Sequence, residues 1–234
     1  MRFFPIKQVW HQDVQMLHRI RERLIKERTA LTNEIRGFLA EYGIVMSKGI
    51  SHIKNRLPLV LEDRVNELSE MGRELILGLL EELNQLERNV KIYEDRINHI
   101  YRSQEACKRL GKIEGVGPIT ATAVLYALSD PHIFKNGREF SAWLGLVPKQ
   151  RSSGNKELLL GISKRGDKYL RKLLIHGARA VVKLDRGGRD KRSRWIMDKK
   201  ISRGYNRASV ALANKNARII WALLARGEQY RRAA

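Results

Sequence analysis

The stretch LPLVLEDRVNELSEMGRELILGLLEELNQLERNVKIYEDRINHIYR, residues 57–102, decides the fold class of this 234-residue chain. Its apolar residues recur mostly at alternating steps of three and four, which places them along one face of an α-helix. These residues are Leu61, Val65, Leu68, Leu75, Leu79, Leu83, Leu86, Val90, Tyr93, Ile97 and Ile100. The pattern predicts a coiled-coil-like helix of roughly 45 residues, or about 65–70 Å at about 1.5 Å per residue.

Two arrangements of this helix fit the pattern. It could pair with the same helix of a second chain, or it could pack within its own chain, either unbroken or as a hairpin broken near Gly72 or Gly78. So long an apolar stripe has few partners within 234 residues, which favours pairing between chains and therefore a homo-oligomer.

The rest of the chain also has the periodicity of helices. Helices are predicted over residues 11–42 (ended by Gly43), 119–128 (with Pro118 in the first turn), 134–144, 168 to about 185 (with Asp167 as N-cap) and about 206–226. Residues 145–166 are rich in Gly and are predicted to be mostly loop, and no segment reads as a convincing strand. The predicted fold class is therefore all-α, with a long coiled-coil-like helix and a compact basic helical domain.

The positive charge is concentrated downstream of the long helix. The formal net charge is +21, and residues 1–100 hold 16 Lys and Arg against 15 Asp and Glu, whereas residues 101–234 hold 30 against 10. The second part therefore carries nearly all of the excess. Such a surplus predicts a polyanion as partner, because neutralising phosphates releases bound counterions.

Other features limit the compartment and the chemistry. Cys107 is the only cysteine, so no disulfide framework forms within one chain, which fits a reducing cytoplasm. No apolar run approaches membrane-spanning length, and no signal-peptide pattern opens the chain. The six histidines show no i,i+3 or i,i+4 pairing, so no metal site is predicted. We therefore expect a cytoplasmic protein with no membrane partner.

The segment LGKIEGVGPITATAVL, residues 110–125, resembles the helix-hairpin-helix DNA-binding motif. Glycines let the backbone turn with positive φ and approach a phosphate closely, and the free amides of the next helix can hold the anion. Gly115, Val116 and Gly117 are therefore candidate nucleic-acid-binding residues. An ordinary helical hairpin without a ligand is the alternative.

Two further segments carry candidate chemistry. LGLVPKQRSSGNK, residues 144–156, and GISKRGDKYLR, residues 161–171, place a serine among cations, which could stabilise the extra charge of a phosphodiester under attack. Taken alone, Ser-Gly in a loop is far more often a turn than a nucleophile. RGGRDKRSR, residues 186–194, is predicted to be a basic loop that contacts phosphates. The candidate phosphate ligands are Arg151, Lys156, Lys164, Arg165, Arg171, Arg189, Lys191, Arg192 and Arg194.

Three stretches together resemble the C-terminal transposase domain of the insertion-sequence family related to the Piv DNA invertase, which includes the bridge-RNA-guided recombinases. They are IEGVGPITATAVL (113–125), FSAWLGLVPKQRSSG (140–154) and GISKRGDKYLRKLLIHGARA (161–180). Residues 16–44 also resemble the end of that family's N-terminal catalytic domain. The resemblance implies DNA as partner, a structured guide RNA, and Ser153 as recombination nucleophile, with its neighbour Ser152 as the alternative.

The resemblance also implies three parts: the end of a RuvC-like domain (1–54), a coiled-coil helix (55–102) and a basic transposase domain (103–234). The family's RuvC-like domain binds Mg²⁺ through four acidic residues. This chain is expected to be truncated at its N-terminus and to begin near the end of that domain, without those residues. Its own early acids lie among arginines and resemble ion-pair partners; they are Asp13, Glu22, Glu27 and Glu34. No cofactor is expected in this chain. It is predicted to be a transposase or recombinase component, or else an inactive remnant that binds nucleic acid and dimerises.

Overall fold

The computed structural model describes residues 6–153, 156–185 and 190–231, and at five strand positions from 152 to 159 it describes the backbone alone. The helices are α1 (Val9–Glu41), α2 (Ile50–Glu62), α3 (Glu70–Ser103), α4 (Glu105–Gly111), α5 (Pro118–Ala127), α6 (Gly137–Trp143), α7 (Lys168–Leu184), α8 (Lys191–Arg203) and α9 (Tyr205–Arg226). The strands β1 (Pro148–Ser153) and β2 (Lys156–Ile162) form one antiparallel hairpin, and a 3-10 turn spans Pro131–Ile133. The predicted all-α class is confirmed, since the described residues are mostly helical. Among them, no helix is both long and apolar enough to cross a membrane.

The helix predicted over 57–102 is interrupted. α2 ends at Glu62 and α3 begins at Glu70, so the prediction of one unbroken helix is wrong. The alternative of a hairpin broken near Gly72 comes closer, because the break over residues 63–69 ends three residues before Gly72 and both helices contribute to one core. Gly72 and Gly78 themselves lie inside α3.

Side chains of the connecting residues and of α3 form hydrogen bonds where α2 ends. The Oδ1 atoms of Asp63 and Asn66 each accept from the backbone N–H two residues later, at 2.9 and 3.2 Å. Arg73 donates to the backbone oxygens of Val60 and Leu61 at 3.3 and 2.9 Å, which satisfies two carbonyls at the end of α2. Such local side-chain bonds compete with the helix, and periodicity does not report them.

The residues Met16–Arg96 form one compact unit. Its core combines apolar residues of α1, α2 and α3 with residues between them: Leu31, Ile35, Leu39, Met46, Ile53, Leu57, Val60, Leu68, Ile76 and Leu83. His18 is buried here, and burial, followed by the Arg21 charge, lowers the pKa of its imidazole to about 4. Pairing of this region with a second chain stays a prediction.

A second compact unit comprises the residues up to Gln15 and those from Ile97 onward. α9 packs against α6, α7 and α8, while α4 packs against α5. Each of these helices contributes apolar residues to one buried core, among them Leu110, Val124, Phe140, Leu174, Ile196 and Leu212. The predicted N-cap of α7 is confirmed, because Asp167 Oδ1 accepts from the N–H groups of Tyr169 and Leu170 at 2.7 and 2.9 Å.

The β-hairpin corrects the prediction that 145–166 is mostly loop. Pro148 pairs with Ile162 at its base, and Ser153 pairs with Lys156 at its far end. The sequence of β1 is polar and lacks the alternation typical of a half-buried strand, so only the pairing with β2 defines it. On β2, Leu158 and Leu160 are 56% and 43% exposed.

Candidate nucleic-acid interface

The segment that resembles a helix-hairpin-helix forms α4, a turn over 112–117, and α5. Gly115 has φ +84°, and Gly117 is extended at the N-cap of α5. No side chain caps α5, so its first-turn N–H groups lack the usual intramolecular acceptor. This geometry can hold an anion at the helix N-terminus. Binding of DNA by this turn stays a prediction.

Gly115 has a second role that the sequence analysis missed. A Cβ atom built on Gly115 would lie 2.8 Å from the carbonyl oxygen of Gly177 on α7, and one built on Gly177 would lie 1.8 Å from the oxygen of Gly115. Only glycine at both positions allows the two backbones to come this close. The turn is therefore fixed by backbone contact with α7.

Gly177→Ala is expected to destabilise the protein by roughly 3 kcal/mol, because the added methyl forces the turn and α7 apart. That loss corresponds to a melting temperature lower by about 6–12 °C. The matched control is Gly37→Ala on α1, where nothing lies within 4 Å of the added Cβ. It is expected to stabilise by about 0.5–1 kcal/mol. Equal melting temperatures for the two variants would contradict the close contact.

The predicted basic loop over 186–194 is only partly described. Arg189 lies outside the described residues, whereas Lys191, Arg192 and Arg194 belong to α8, whose N-cap Asp190 accepts from the Ser193 N–H at 2.8 Å. A helix in this part corrects the loop prediction. Lys191 and Arg194 are exposed and remain available to a phosphate.

Arg192 contradicts its predicted role as a phosphate ligand, since it is only 5% exposed. Its guanidinium donates to Tyr230 Oη at 2.7 Å, Asn216 Oδ1 at 3.1 Å and the Glu114 carbonyl at 3.2 Å. Its Nε also lies 3.3 Å from the Glu114 carboxylate. Because Glu114 directly precedes Gly115, this network holds the turn from inside the protein.

Arg192→Met is expected to destabilise the protein by about 3 kcal/mol, because it leaves Glu114 and Asn216 without their buried partner. Urea unfolding measures this loss. The exposed neighbour Arg194 offers the matched control, and Arg194→Met should change the stability by less than about 0.5 kcal/mol. A similar small change in both variants would mean that the network does not support the turn.

Arg171 is also removed from the predicted phosphate ligands. It is 7% exposed, and its Nη1 donates to the backbone oxygens of Leu144 and Arg165 at 3.0 and 3.1 Å. Gly145 and Gly166 make close contacts at the same place, since a Cβ on Gly145 would meet the Arg165 oxygen at 2.1 Å. Arg171 therefore fastens the two chain segments from which the β-hairpin emerges.

The predicted serine nucleophile lies at the far end of that hairpin. Ser153 is the last residue of β1, Ser152 precedes it, and positions 154 and 155 between the strands lie outside the described residues. The backbone of Lys156 pairs with that of Ser153. The side chains of Ser152, Ser153 and Lys156 are not among those described, so their predicted roles stay predictions.

The cations predicted around the serine are not all near it. Arg151 is exposed on β1, two residues before Ser153. Lys164 and Arg165 are exposed too, but they follow the base of the hairpin. Five strand residues at about 3.3 Å each separate that base from Ser153, or about 17 Å. Within one chain, the structure therefore brings Arg151 to the serine end and leaves the other two at the base.

A groove that the sequence analysis missed lies beside the hairpin base. Its volume is about 1020 Å³, and Pro148 and Ile162 form part of its wall. Five cations line it, with no Asp or Glu among the described lining residues: Arg138, Arg207, Lys215, Arg218 and Arg226. Four of them lie on α9, whose apolar face alone guided the helix prediction. Their spacing along α9 was the signal that could have located the groove.

Two tryptophans also line this groove, Trp195 and Trp221. The Lys215 Nζ lies 4.5 Å from the ring centroid of Trp195, in cation–π geometry. Burial first, and then the Arg192 and Arg218 charges, lower the pKa of the Lys215 amine. Added negative charge in the groove would relieve this repulsion, so the electrostatics favour an anionic ligand.

Comparison with known proteins identifies the family. The family described as Transposase IS116/IS110/IS902 matches residues 107–193. The transposase for insertion sequence element IS1111A of Coxiella burnetii is 48% identical over 99% of this chain, and a probable family 20 transposase of Pseudomonas aeruginosa is 46% identical over 99%. The alignment covers 64% of the first relative's length and 69% of the second's. The chain belongs to the IS116/IS110/IS902 transposase family. The transposase for insertion sequence element IS1328 of Yersinia enterocolitica is 36% identical over 97% of this chain and 67% of its own length.

The matched segment locates the family's features in this fold. It begins in α4 and ends in α8, so it includes the turn at Gly115, its contact Gly177 and the Ser153 hairpin. The buried residues Arg171 and Arg192 fall inside it as well. The elements that shape the turn and the hairpin base therefore belong to the part shared with other transposases of this family.

The divalent metal implied by the resemblance does not fit the residues present. Within residues 6–153, 156–185 and 190–231, no three His, Cys, Asp or Glu side chains group to hold a metal ion. Of the early acids, Glu27 forms an ion pair with Arg23 one turn away on α1.

Proposed function

We propose that this chain is the DNA-binding component of a transposase and supplies Ser153 as the nucleophile of DNA strand exchange. The observation that carries the DNA-binding part is the uncapped N-terminus of α5, held in place by the Gly115–Gly177 contact and by Arg192. Backbone amides at a helix N-terminus fix the position of a phosphate and read no sequence. Membership of the transposase family supports DNA as the partner.

In the proposed reaction, Ser153 Oγ attacks a phosphorus atom of the DNA backbone. The serine hydroxyl loses its proton as an Oγ–P bond forms, one P–O bond to a sugar breaks, and the leaving sugar oxygen takes up a proton as a hydroxyl, so protons balance overall. The number of phosphodiester bonds is conserved, so the covalent bond between Ser153 and DNA can later be replaced by a bond to another strand. Arg151 lies two residues away on β1, and its proposed role is to stabilise the added negative charge.

Two further partners belong to the proposal. The resemblance to bridge-RNA-guided recombinases supports a structured guide RNA that selects the target. Exposed apolar residues of α2 and α3, among them Leu59, Met71 and Leu75, support pairing with a second copy of this chain, since strand exchange needs more than one reactive centre. Mg²⁺ would be bound by the part of the longer relatives that this chain does not span.

The DNA-binding part is tested by removing three exposed cations of the matched segment, with the variant Arg151→Ala/Lys164→Ala/Arg165→Ala. Each lost phosphate contact reduces the slope of log affinity against log salt by about 0.9, so the slope should become about 2–3 units shallower. Fluorescence anisotropy on a DNA duplex measures it.

The control removes the same charge from the unit Met16–Arg96, with Lys26→Ala/Lys48→Ala/Arg88→Ala at exposed positions. Its salt slope should stay within about one unit of the parent's. If both triple variants flatten the slope equally, the DNA does not bind through the matched segment.

A further inference from the structure

We infer that the groove beside the hairpin base binds an unpaired, single-stranded segment of nucleic acid, an inference that rests on the proposed function and gives it a second site. The groove is the one lined by Arg138, Arg207, Lys215, Arg218 and Arg226.

The charge of the groove selects an extended anion. Arg207, Arg218 and Arg226 are exposed, and they follow one another along α9. Arg138 faces them from α6, which packs closely here because Gly137 has no side chain: a Cβ on it would lie 2.9 Å from the Arg218 backbone. Arg226 Nη1 also lies 3.8 Å from the Glu228 carboxylate, which is not among the described lining residues of the groove. A row of cations whose described lining includes no carboxylate matches a run of phosphates better than one small anion.

The aromatic residues favour unpaired bases over a duplex. Trp195 is half-buried on the groove wall, and the Trp221 Nε1 donates to the Pro131 carbonyl at 2.9 Å, which fixes its ring. The faces of bases in a duplex are covered by their stacked neighbours, so an aromatic side chain stacks freely only on an unpaired base. Cations along a groove together with an aromatic platform are the pattern of single-strand sites.

The size and place of the groove agree with this ligand. Its volume of about 1020 Å³ is slightly above the range of about 300–1,000 Å³ for small-molecule pockets, which suits a few nucleotides. Pro148 in its wall begins the strand that ends at Ser153. That strand spans about 17 Å, or about five stacked nucleotides at about 3.4 Å each. A strand unpaired near the serine can therefore reach the groove.

The first test removes two groove cations with Arg207→Ala/Arg218→Ala. The probes are labelled oligothymidylate and oligouridylate of about 15 nucleotides and a duplex of the same length. The salt slope for the single strands should become about 1.4 units shallower, at about 0.7 per contact, while duplex binding is unchanged. The matched control, Lys183→Ala/Arg203→Ala, removes two exposed cations outside the groove and should behave like the parent.

The second test addresses stacking. Trp195→Leu should weaken single-strand binding about 5- to 150-fold, and Trp195→Phe should retain most of it, because a ring still stacks. Circular dichroism checks that each variant is folded. The cation pair tests the site independently if the leucine variant unfolds, since both arginines are exposed.

The outcomes separate this inference from the proposed function. Loss of single-strand binding with duplex binding retained supports the groove site, and the stronger of the two single-stranded probes tells whether DNA or RNA occupies it. Equal losses for duplex and single strand, or no loss for either, would overturn the inference and leave DNA binding at the α5 turn standing. A parent chain that binds none of the probes would overturn the proposed function itself.

Discussion

Replacing Ser153 with alanine is expected to abolish covalent attachment of this chain to DNA while leaving its affinity for duplex DNA unchanged. The serine Oγ is the proposed atom that bonds to phosphorus, whereas the described groups proposed to hold DNA lie at the α5 turn and on exposed cations. The assay incubates the chain and Mg²⁺ with labelled element-end DNA, with and without a RuvC-like domain supplied separately. Adducts that survive denaturing electrophoresis are then counted.

Ser152→Ala is the matched control, because it removes the same hydroxyl from the adjacent residue of β1. It should retain attachment. If Ser152→Ala abolishes the adduct and Ser153→Ala does not, the alternative serine is the nucleophile. Equal attachment by the parent and both variants would exclude both serines as the nucleophile. It would not affect the proposal that the chain binds DNA.

The second large effect concerns salt. If six exposed cations of this chain contact phosphates, the log–log slope is about −5, and raising salt from about 50 to about 200 mM should weaken duplex binding by about 10³-fold. The reason is that each contact releases condensed counterions, and their return is favoured as the salt concentration rises. Anisotropy titrations at four salt concentrations measure the slope. A slope near zero would contradict the electrostatic interpretation of the +21 charge.

The sequence predicted the helices best where local chemistry sets their ends. Asp167 caps α7 as expected, Pro118 begins α5, and Gly43, at φ +72°, follows the end of α1. These signals act within about one helical turn, so they can be read without knowing the tertiary fold. The break between α2 and α3 was missed because it depends on Arg73 reaching back to carbonyls 12 and 13 residues earlier.

Prediction of the candidate site failed where distant partners decide a residue's role. In the sequence, Arg192 looks like any other cation of a basic run. Its burial depends on Glu114, 78 residues earlier, and on Tyr230, 38 residues later. The groove was missed for a related reason. The cations of α9 line one groove only because α6 and the β-hairpin base lie beside them in the folded protein.

The segment after α9 has a practical consequence for protein engineering. Arg109 Nη1 donates to the Gly227 carbonyl at 2.7 Å, Lys112 Nζ to Gln229 Oε1 at 3.1 Å, and Arg192 to Tyr230. These few residues support α4 and the turn over 112–117. A purification tag or fused effector domain should therefore be joined after residue 231. Removing the residues that follow α9 would break these hydrogen bonds to α4 and the turn, two elements that lie more than a hundred positions upstream.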